Sequence, residues 1–324
     1  MHTLTEIQQI VASAIDKLDW SLPPHGLYEP IEYTLRLGGK RLRPCLTLMA
    51  ADLYDAPLES AIPAAMALEI FHNFTLLHDD VMDHADVRRG QPTVHRRWNE
   101  NTAILSGDTM SLCAFRQLDG IAERHLKEVL RRFSDMSIQI CEGQQYDMDF
   151  ETRSDVSIDE YMEMIRLKTA VLIASALQIG AVLADAPGSD ADALYDFGLH
   201  VGLAFQLKDD YLDVYGNPAT FGKAIGGDIL CNKKTFMLLT AFRLADAPGR
   251  EALLRLLNDN NSRPQEKIQG VTQIYDNLNV GRHCIDAMEQ HLRQALDSLE
   301  RVQLPAERLA PLRDLANRLM QRDK

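Results

Sequence analysis

Leu76-Leu77-His78-Asp79-Asp80-Val81-Met82-Asp83 and Gln206-Leu207-Lys208-Asp209-Asp210-Tyr211-Leu212-Asp213 echo each other: each reads Asp-Asp-x-x-Asp after an apolar lead-in. On a helix, residues four apart share a face. Asp79 therefore aligns with Asp83 and Asp209 with Asp213, while Asp80 and Asp210 stand at the edge of each cluster. Like charges stacked this way weaken a helix by roughly 0.2–0.5 kcal/mol per pair. One such triplet is ordinarily a solvated acidic face. Two of them, each beside a hydrophobic run (74–77 and 203–207), point to carboxylates that meet cations. Hard divalent ions take oxygen ligands, and Mg²⁺ typically uses one or two carboxylates plus substrate phosphates. Two facing triplets would make a multi-metal diphosphate site, and such a site also needs cationic side chains.

Around the triplets the chain reads as helix. Leu4, Ile7, Val11, Ala14, Ile15 and Leu18 form a helical stripe. Pro23, Pro24 and Pro30 break the chain, and the helical pattern resumes at Ile31. After Gly38-Gly39, Pro44 fits the first turn of a new helix, where its missing N–H costs nothing. Helices are expected over 64–82, 101–118 and 123–147, with a polar loop at 86–93. Ser157 and Glu160 form a capping box that opens a helix running into the Ala-rich stretch 170–184. Further helices are expected over 192–215, 235–245, 250–258, 264–277, 280–302 and 306–321, with a Gly- and Lys-bearing loop at 222–235. No alternating strands and no hairpin signal stand out. The expectation is an all-α protein, and with no low-complexity linker, a single helical domain over 1–324.

Composition narrows the class. Hydrophobic residues make up 46% and charged residues 25%, ordinary for a globular protein with a large core. The net charge of −13 argues against nucleic acid or anionic membrane as a partner. Cys45, Cys113, Cys141, Cys231 and Cys284 are scattered without C-x-x-C spacing, which disfavours structural zinc and disulfides and suits a reducing cytoplasm. The N-terminus does not read as a signal peptide, and 170–184 is short for a membrane span.

The cations lie where a diphosphate site needs them. Lys40 and Arg43 follow the Gly-Gly turn, Arg88 and Arg89 follow the first triplet, and Lys223 and Lys233 follow the second. Arginine binds phosphate bidentately and lysine acts as a point charge. Taken in order, Gly38-Gly39-Lys40-Arg41-Leu42-Arg43-Pro44, His78 to Asp83, Arg88-Arg89-Gly90-Gln91-Pro92-Thr93, Lys168-Thr169, Phe205 to Asp213, and Gly222-Lys223, Gly227-Asp228 and Asn232-Lys233 resemble the trans-isoprenyl diphosphate synthases (polyprenyl synthetases) of short-chain type. The resemblance is strong over roughly 30–240.

It implies an isoprenoid-synthase helical bundle around a central cavity, a homodimer, and head-to-tail joining of isopentenyl diphosphate to an allylic diphosphate. By the same resemblance Asp79, Asp83 and Asp209 bind Mg²⁺, three ions with substrate present, and Asp80, Asp210 and Asp213 act through waters or from behind. Arg88, Lys168 and Lys233 hold the allylic diphosphate with Lys223 and Gln206 nearby. Lys40, Arg43, His72 and Arg89 hold isopentenyl diphosphate, and Thr169 and Gln206 face the developing carbocation. No side chain stands out as a dedicated base, so diphosphate is the expected proton acceptor. His78 reads as a hydrogen-bonding helper, and His84 has no role legible in the sequence.

Phe74 lies five residues before Asp79, just over one turn up the helix, and Thr75 four before it. A ring at Phe74 would floor the cavity against a growing chain. In the family that the chain resembles, an aromatic here goes with short products and a second one at the next position with still tighter floors. With Thr75 there, the resemblance implies a C20 product, C15 next. Two rivals carry less. A class I terpene cyclase needs a second motif of the form Asn/Asp-x-x-Ser/Thr-x-x-x-Glu, where this chain has a second triplet. A non-catalytic regulatory subunit would have lost a triplet or its arginines.

Overall fold

The computed structural model describes residues 1–217, 225–259 and 263–320. It is all-α apart from one short hairpin. In chain order the helices are α1 (Leu4–Asp16), α2 (His25–Arg36), α3 (Leu42–Asp52), α4 (Ile62–Met82), α5 (Val94–Arg97), α6 (Glu100–Gln117), α7 (Glu123–Thr152), α8 (Ile158–Ile165), α9 (Val171–Leu183) and α10 (Gly188–Tyr215). Then come α11 (Gly227–Leu230), α12 (Phe236–Leu244), α13 (Ala247–Asn258), α14 (Pro264–Asn277), α15 (Val280–Leu299) and α16 (Ala306–Met320). Between α8 and α9 the chain makes a π turn, Arg166–Ala170.

Local chemistry sets many of these boundaries. Thr3 with Glu6, and Ser157 with Glu160, form complete capping boxes at α1 and α8. Asn99 caps α6 and Thr235 caps α12 through their side chains.

Four expectations need correction. Helix α2 starts at His25, not Ile31, and takes Pro30 inside it. Pro30, Ile31, Thr34 and Leu35 form one buried face, so packing outweighs the hydrogen bond a mid-helix proline forfeits. Helix α10 begins at Gly188 and α7 continues to Thr152. The loop at 86–93 holds an antiparallel pair, β1 (Val87–Arg88) and β2 (Gln91–Pro92). Arg89 and Gly90 both have positive φ, 53° and 76°, the signature of a type I′ turn. That turn ordinarily advertises itself as Asn-Gly or Asp-Gly, and Arg-Gly hid it.

The chain forms two compact units. The first comprises 1–135, 175–195 and 303–311. Its interior includes Val11, Leu48, Ala67, Leu68 and Ile70, and α4 packs closely along α6. The second comprises 136–174, 196–302 and 312–324. Its core gathers Tyr161, Leu207, Met237, Leu253, Val271 and Tyr275. Among the described residues, Ile158–Leu183 is the one helical stretch long and apolar enough to cross a membrane, and 83% of its most apolar window is buried in the protein.

Candidate active site

Both triplets sit at the C-terminal ends of their helices, α4 and α10. The helix dipole places its negative end there, so carboxylates at these positions are doubly disfavoured unless cations answer them.

In the first unit Arg88, from β1, supplies one answer. Its Nε donates to both oxygens of Asp80 at 2.7 and 2.8 Å, and its Nη2 lies 2.7 Å from Asp80 Oδ1 and 3.7 Å from Asp79 Oδ2. Asp80 is 5% exposed, and burial pushes its carboxyl above the usual range despite Arg88. Burial works against the Arg88 charge too. The bonds to Asp80, with the charges of Asp80, Asp79 and Asp83, outweigh it and hold the guanidinium above its ordinary value. Asp79 is 20% exposed at its side chain, and Asp83, the C-cap of α4, is exposed. Past it the helix closes in a Schellman arrangement: Ala85 N–H donates to the Asp80 carbonyl at 3.0 Å and His84 N–H to that of Val81 at 3.2 Å. His84 is thus the left-handed residue (φ 51°) such an ending requires, a backbone role.

The isopentenyl-diphosphate residues of the sequence reading also meet in this unit. Gly38, Gly39 and Arg41 all have positive φ (81°, 122° and 48°), so 38–41 is a left-handed turn. Arg89 donates to the Gly38 carbonyl, and its guanidinium lies over Gly39, where a Cβ would stand 2.7 Å from Arg89 Cζ. Arg43 Nη1 lies 3.1 Å from His72 Nε2. Burial, then the charges of Arg43, Arg89, Arg88 and Arg41, push His72 well below the ordinary histidine range. His72 is therefore a neutral acceptor for Arg43, whose own pKa burial pushes down to about 10. Lys40 is exposed beside this cluster. Arg41 is turned away: it pairs with buried Glu69 and donates to the Leu35 carbonyl, and Asn73 Nδ2 shares Glu69 Oε1 at 2.8 Å. Several guanidinium groups around an uncharged imidazole form a pocket suited to a multiply charged anion.

His78 is engaged by α6. Its Nε2 lies 3.0 Å from the Ile104 carbonyl, and its ring fills the space a Cβ on Gly107 would need. Phe74 stands edge-on to His78 and Phe71, with ring centroids 4.8 and 5.2 Å apart. The Thr75 hydroxyl is spent within α4, donating to the His72 carbonyl at 2.8 Å.

In the second unit the π turn carries Lys168 and Thr169; π turns concentrate at functional sites. Lys168 Nζ donates to Asp147 Oδ2 at 2.6 Å, and Lys233 Nζ lies 3.9 Å from the same oxygen. Burial raises the Asp147 carboxyl, but Lys233 and Lys168 outweigh it and hold it below the usual range. Thr169 donates to Gln206 Oε1 at 3.2 Å. Asp209 is half-buried, and Asp213 accepts the Asp228 N–H at 3.1 Å. Asp210 is 3% exposed, and burial, then the Asp228 charge, push its carboxyl up to about 7. Lys223 and Gly222 lie outside the described residues. The sequence reading missed Asp147, Tyr161 and Glu69, each a distant partner of a residue it named.

All the candidate ligands Asp79, Asp83 and Asp209 are carboxylates, which suits a hard cation. Among the described residues no three His, Cys, Asp or Glu side chains converge as a closed cage.

Comparison with known proteins agrees with this chemistry. The family model described as polyprenyl synthetase matches residues 24–276. A geranylgeranyl diphosphate synthase of Methanosarcina mazei is 43% identical over 234 residues, 72% of each chain. A short chain isoprenyl diphosphate synthase of Methanothermobacter thermautotrophicus is 36% identical over 93% of this chain and 92% of its own. Among solved structures, a geranylgeranyl pyrophosphate synthase matches over 100% of both chains at 41% identity, with a TM-score of 0.94.

Proposed function

Because the chain belongs to the polyprenyl synthetase family, we propose that it is a short-chain trans-prenyltransferase whose principal product is geranylgeranyl diphosphate. It condenses isopentenyl diphosphate with dimethylallyl, geranyl or farnesyl diphosphate, head to tail. The observation that carries this reading is the cluster of Arg43, Arg89 and neutral His72, in the unit whose α4 ends on Asp79, Asp80 and Asp83. It pairs a pocket for one diphosphate with carboxylates for the metals of another.

Asp79, Asp83 and Asp209 hold Mg²⁺, three ions when substrate is present. The metal supplies stabilisation of the charge that develops on the leaving diphosphate. Arg88, Lys168, Lys223 and Lys233 hold that diphosphate from its other oxygens. Lys40, Arg43, His72 and Arg89 bind isopentenyl diphosphate and aim its double bond. The allylic C–O bond breaks, with its electron pair leaving on diphosphate. The isopentenyl double bond forms the new C–C bond, and the proton then lost goes to the departed diphosphate. Thr169 and Gln206 turn oxygen lone pairs toward the cationic carbon, and apolar walls exclude the water that would quench it.

The protein acts as a homodimer, a reading supported by Ile104, Leu105 and Leu112, which leave α6 with an exposed apolar stripe. Its place is the cytoplasm, as the cysteine pattern suggests. The test is incubation with isopentenyl diphosphate, Mg²⁺ and each allylic primer in turn, with products weighed by mass spectrometry. A C20 diphosphate is expected, and turnover with none of the primers would overturn the assignment.

A further inference from the structure

The middle carboxylate of the second triplet has its oxygens committed inside the protein. Asp210 Oδ2 accepts the Tyr161 hydroxyl from α8 and the Phe236 N–H, at 3.1 Å, from the first turn of α12. Asp210 Oδ1 accepts Gln206 Nε2 at 3.2 Å. Because these partners approach as donors, Gln206 must present its nitrogen to Asp210, which leaves its oxygen for the Thr169 hydroxyl. The hydroxyl proton of Thr169 is thereby committed to Gln206, and its free lone pairs are fixed in direction. Backbone freedom is already small at this point. A Cβ on Gly143 would stand 2.3 Å from Lys168 N, and one on Gly202 2.6 Å from Ala170 Cα, so α7 and α10 grip the π turn from two directions.

We propose that Asp210, braced by Tyr161, is a positioning residue that orients Gln206 and Thr169 for the prenyl-transfer step and locks the segment after Lys233 to them, rather than a ligand of the metal. This rests on the function proposed above, in which Gln206 and Thr169 face the cationic carbon. Tyr161 is 2% exposed and belongs to none of the substrate-holding sets, so any effect of its hydroxyl on turnover passes through Asp210. The two triplets then share a plan: Asp80 is held inward by Arg88 as Asp210 is by its donors, and in each the first aspartate is more exposed than the middle one.

The test uses the full-length enzyme and the variants Tyr161→Phe, Asp210→Asn and their double mutant. Asparagine would set an NH₂ group against one of the donors now facing Asp210, and phenylalanine removes only the hydroxyl. Misorientation of catalytic groups predicts kcat about 5- to 20-fold lower for Tyr161→Phe and about 100-fold lower for Asp210→Asn, with KM values within about threefold. The double mutant should match Asp210→Asn alone, because both changes break one network. The Mg²⁺ concentration for half-maximal rate, and the calorimetric affinity for inorganic pyrophosphate with Mg²⁺, should stay within about twofold. A tenfold or larger shift in either for Asp210→Asn would make Asp210 a metal ligand and overturn the proposal. Wild-type kcat in Tyr161→Phe would overturn it as well, and that variant decides alone if Asp210→Asn does not fold. An inactive wild type is a different failure, that of the proposed function.

Discussion

Phe74 is the side chain to which the proposed product length is traced. It sits on α4 just over a turn before Asp79, half-buried, with its ring braced edge-on by Phe71 and His78. Replacing it with alanine removes the ring without touching a charge. Phe74→Ala is expected to shift products beyond C20, read as chain length by mass; an unchanged distribution would dismiss it as the floor. His72 carries a pH signature. Its folded pKa is depressed below the ordinary 6.5, so between those values the unfolded chain holds more protons than the folded one. Stability is then complete above about pH 6.5 and falls on acidification, by up to about 1.4 kcal/mol per pH unit. His72→Gln keeps an acceptor for Arg43 and should lose that part of the slope in urea unfolding between about pH 6.5 and 5. Arg89 stood out in the sequence as a cation just past the first triplet, whereas His72 and the role of Lys168 came only through the family resemblance. Glu69, Asp147 and Tyr161 were not legible, because each is an ordinary helical residue until folding brings a partner 28, 21 or 49 positions away against it.

At the scale of elements, two left-handed turns do what no helix does here. The 38–41 turn and the Arg89-Gly90 turn dock on each other through the Arg89 guanidinium and the Gly38 carbonyl. Gly39→Ala would strain a residue at φ 122° and drive a methyl group into Arg89. It should raise the KM for isopentenyl diphosphate at least about tenfold and leave that for the allylic substrate unchanged, since it displaces one diphosphate's ligand only. Equal rises in both would refute that assignment of Arg89. Helix existence was legible from 3.6-residue periodicity and capping boxes, as at Ser157 and Glu160. The misread elements had tertiary causes. Pro30 stays helical because its face is buried, and the I′ hairpin forms around Arg89, whose side chain is anchored elsewhere. The π turn has no sequence signature at all; its shape follows from what Gly143 and Gly202 allow to approach.

For the whole molecule, the net charge of −13 opposes a negatively charged substrate at long range, so productive encounters depend on local clusters such as Arg43 and Arg89. The α6 stripe calls for a cover: Leu112 is 72% exposed and Leu105 59%. If a second copy provides it, Leu105→Lys combined with Leu112→Lys should halve the mass measured by light scattering, from twice 36.5 kDa to 36.5 kDa. An unchanged mass would place the dimer contact elsewhere. The π turn at Arg166–Ala170 constrains how the sequence can change. Its hydrogen bonds reach one residue further than those of an α-helix, so the stretch 158–183 contains one amino acid more than a regular spiral would accommodate. Deleting Arg166 would let the spiral close as a regular α-helix with the residues before and after it still in phase, because the π turn is what absorbs the surplus residue. Tyr161, Met164 and Ile165 would keep their buried face, and the change would fall on Lys168 and Thr169, so the surplus amino acid serves the site rather than the core and is not available for loss.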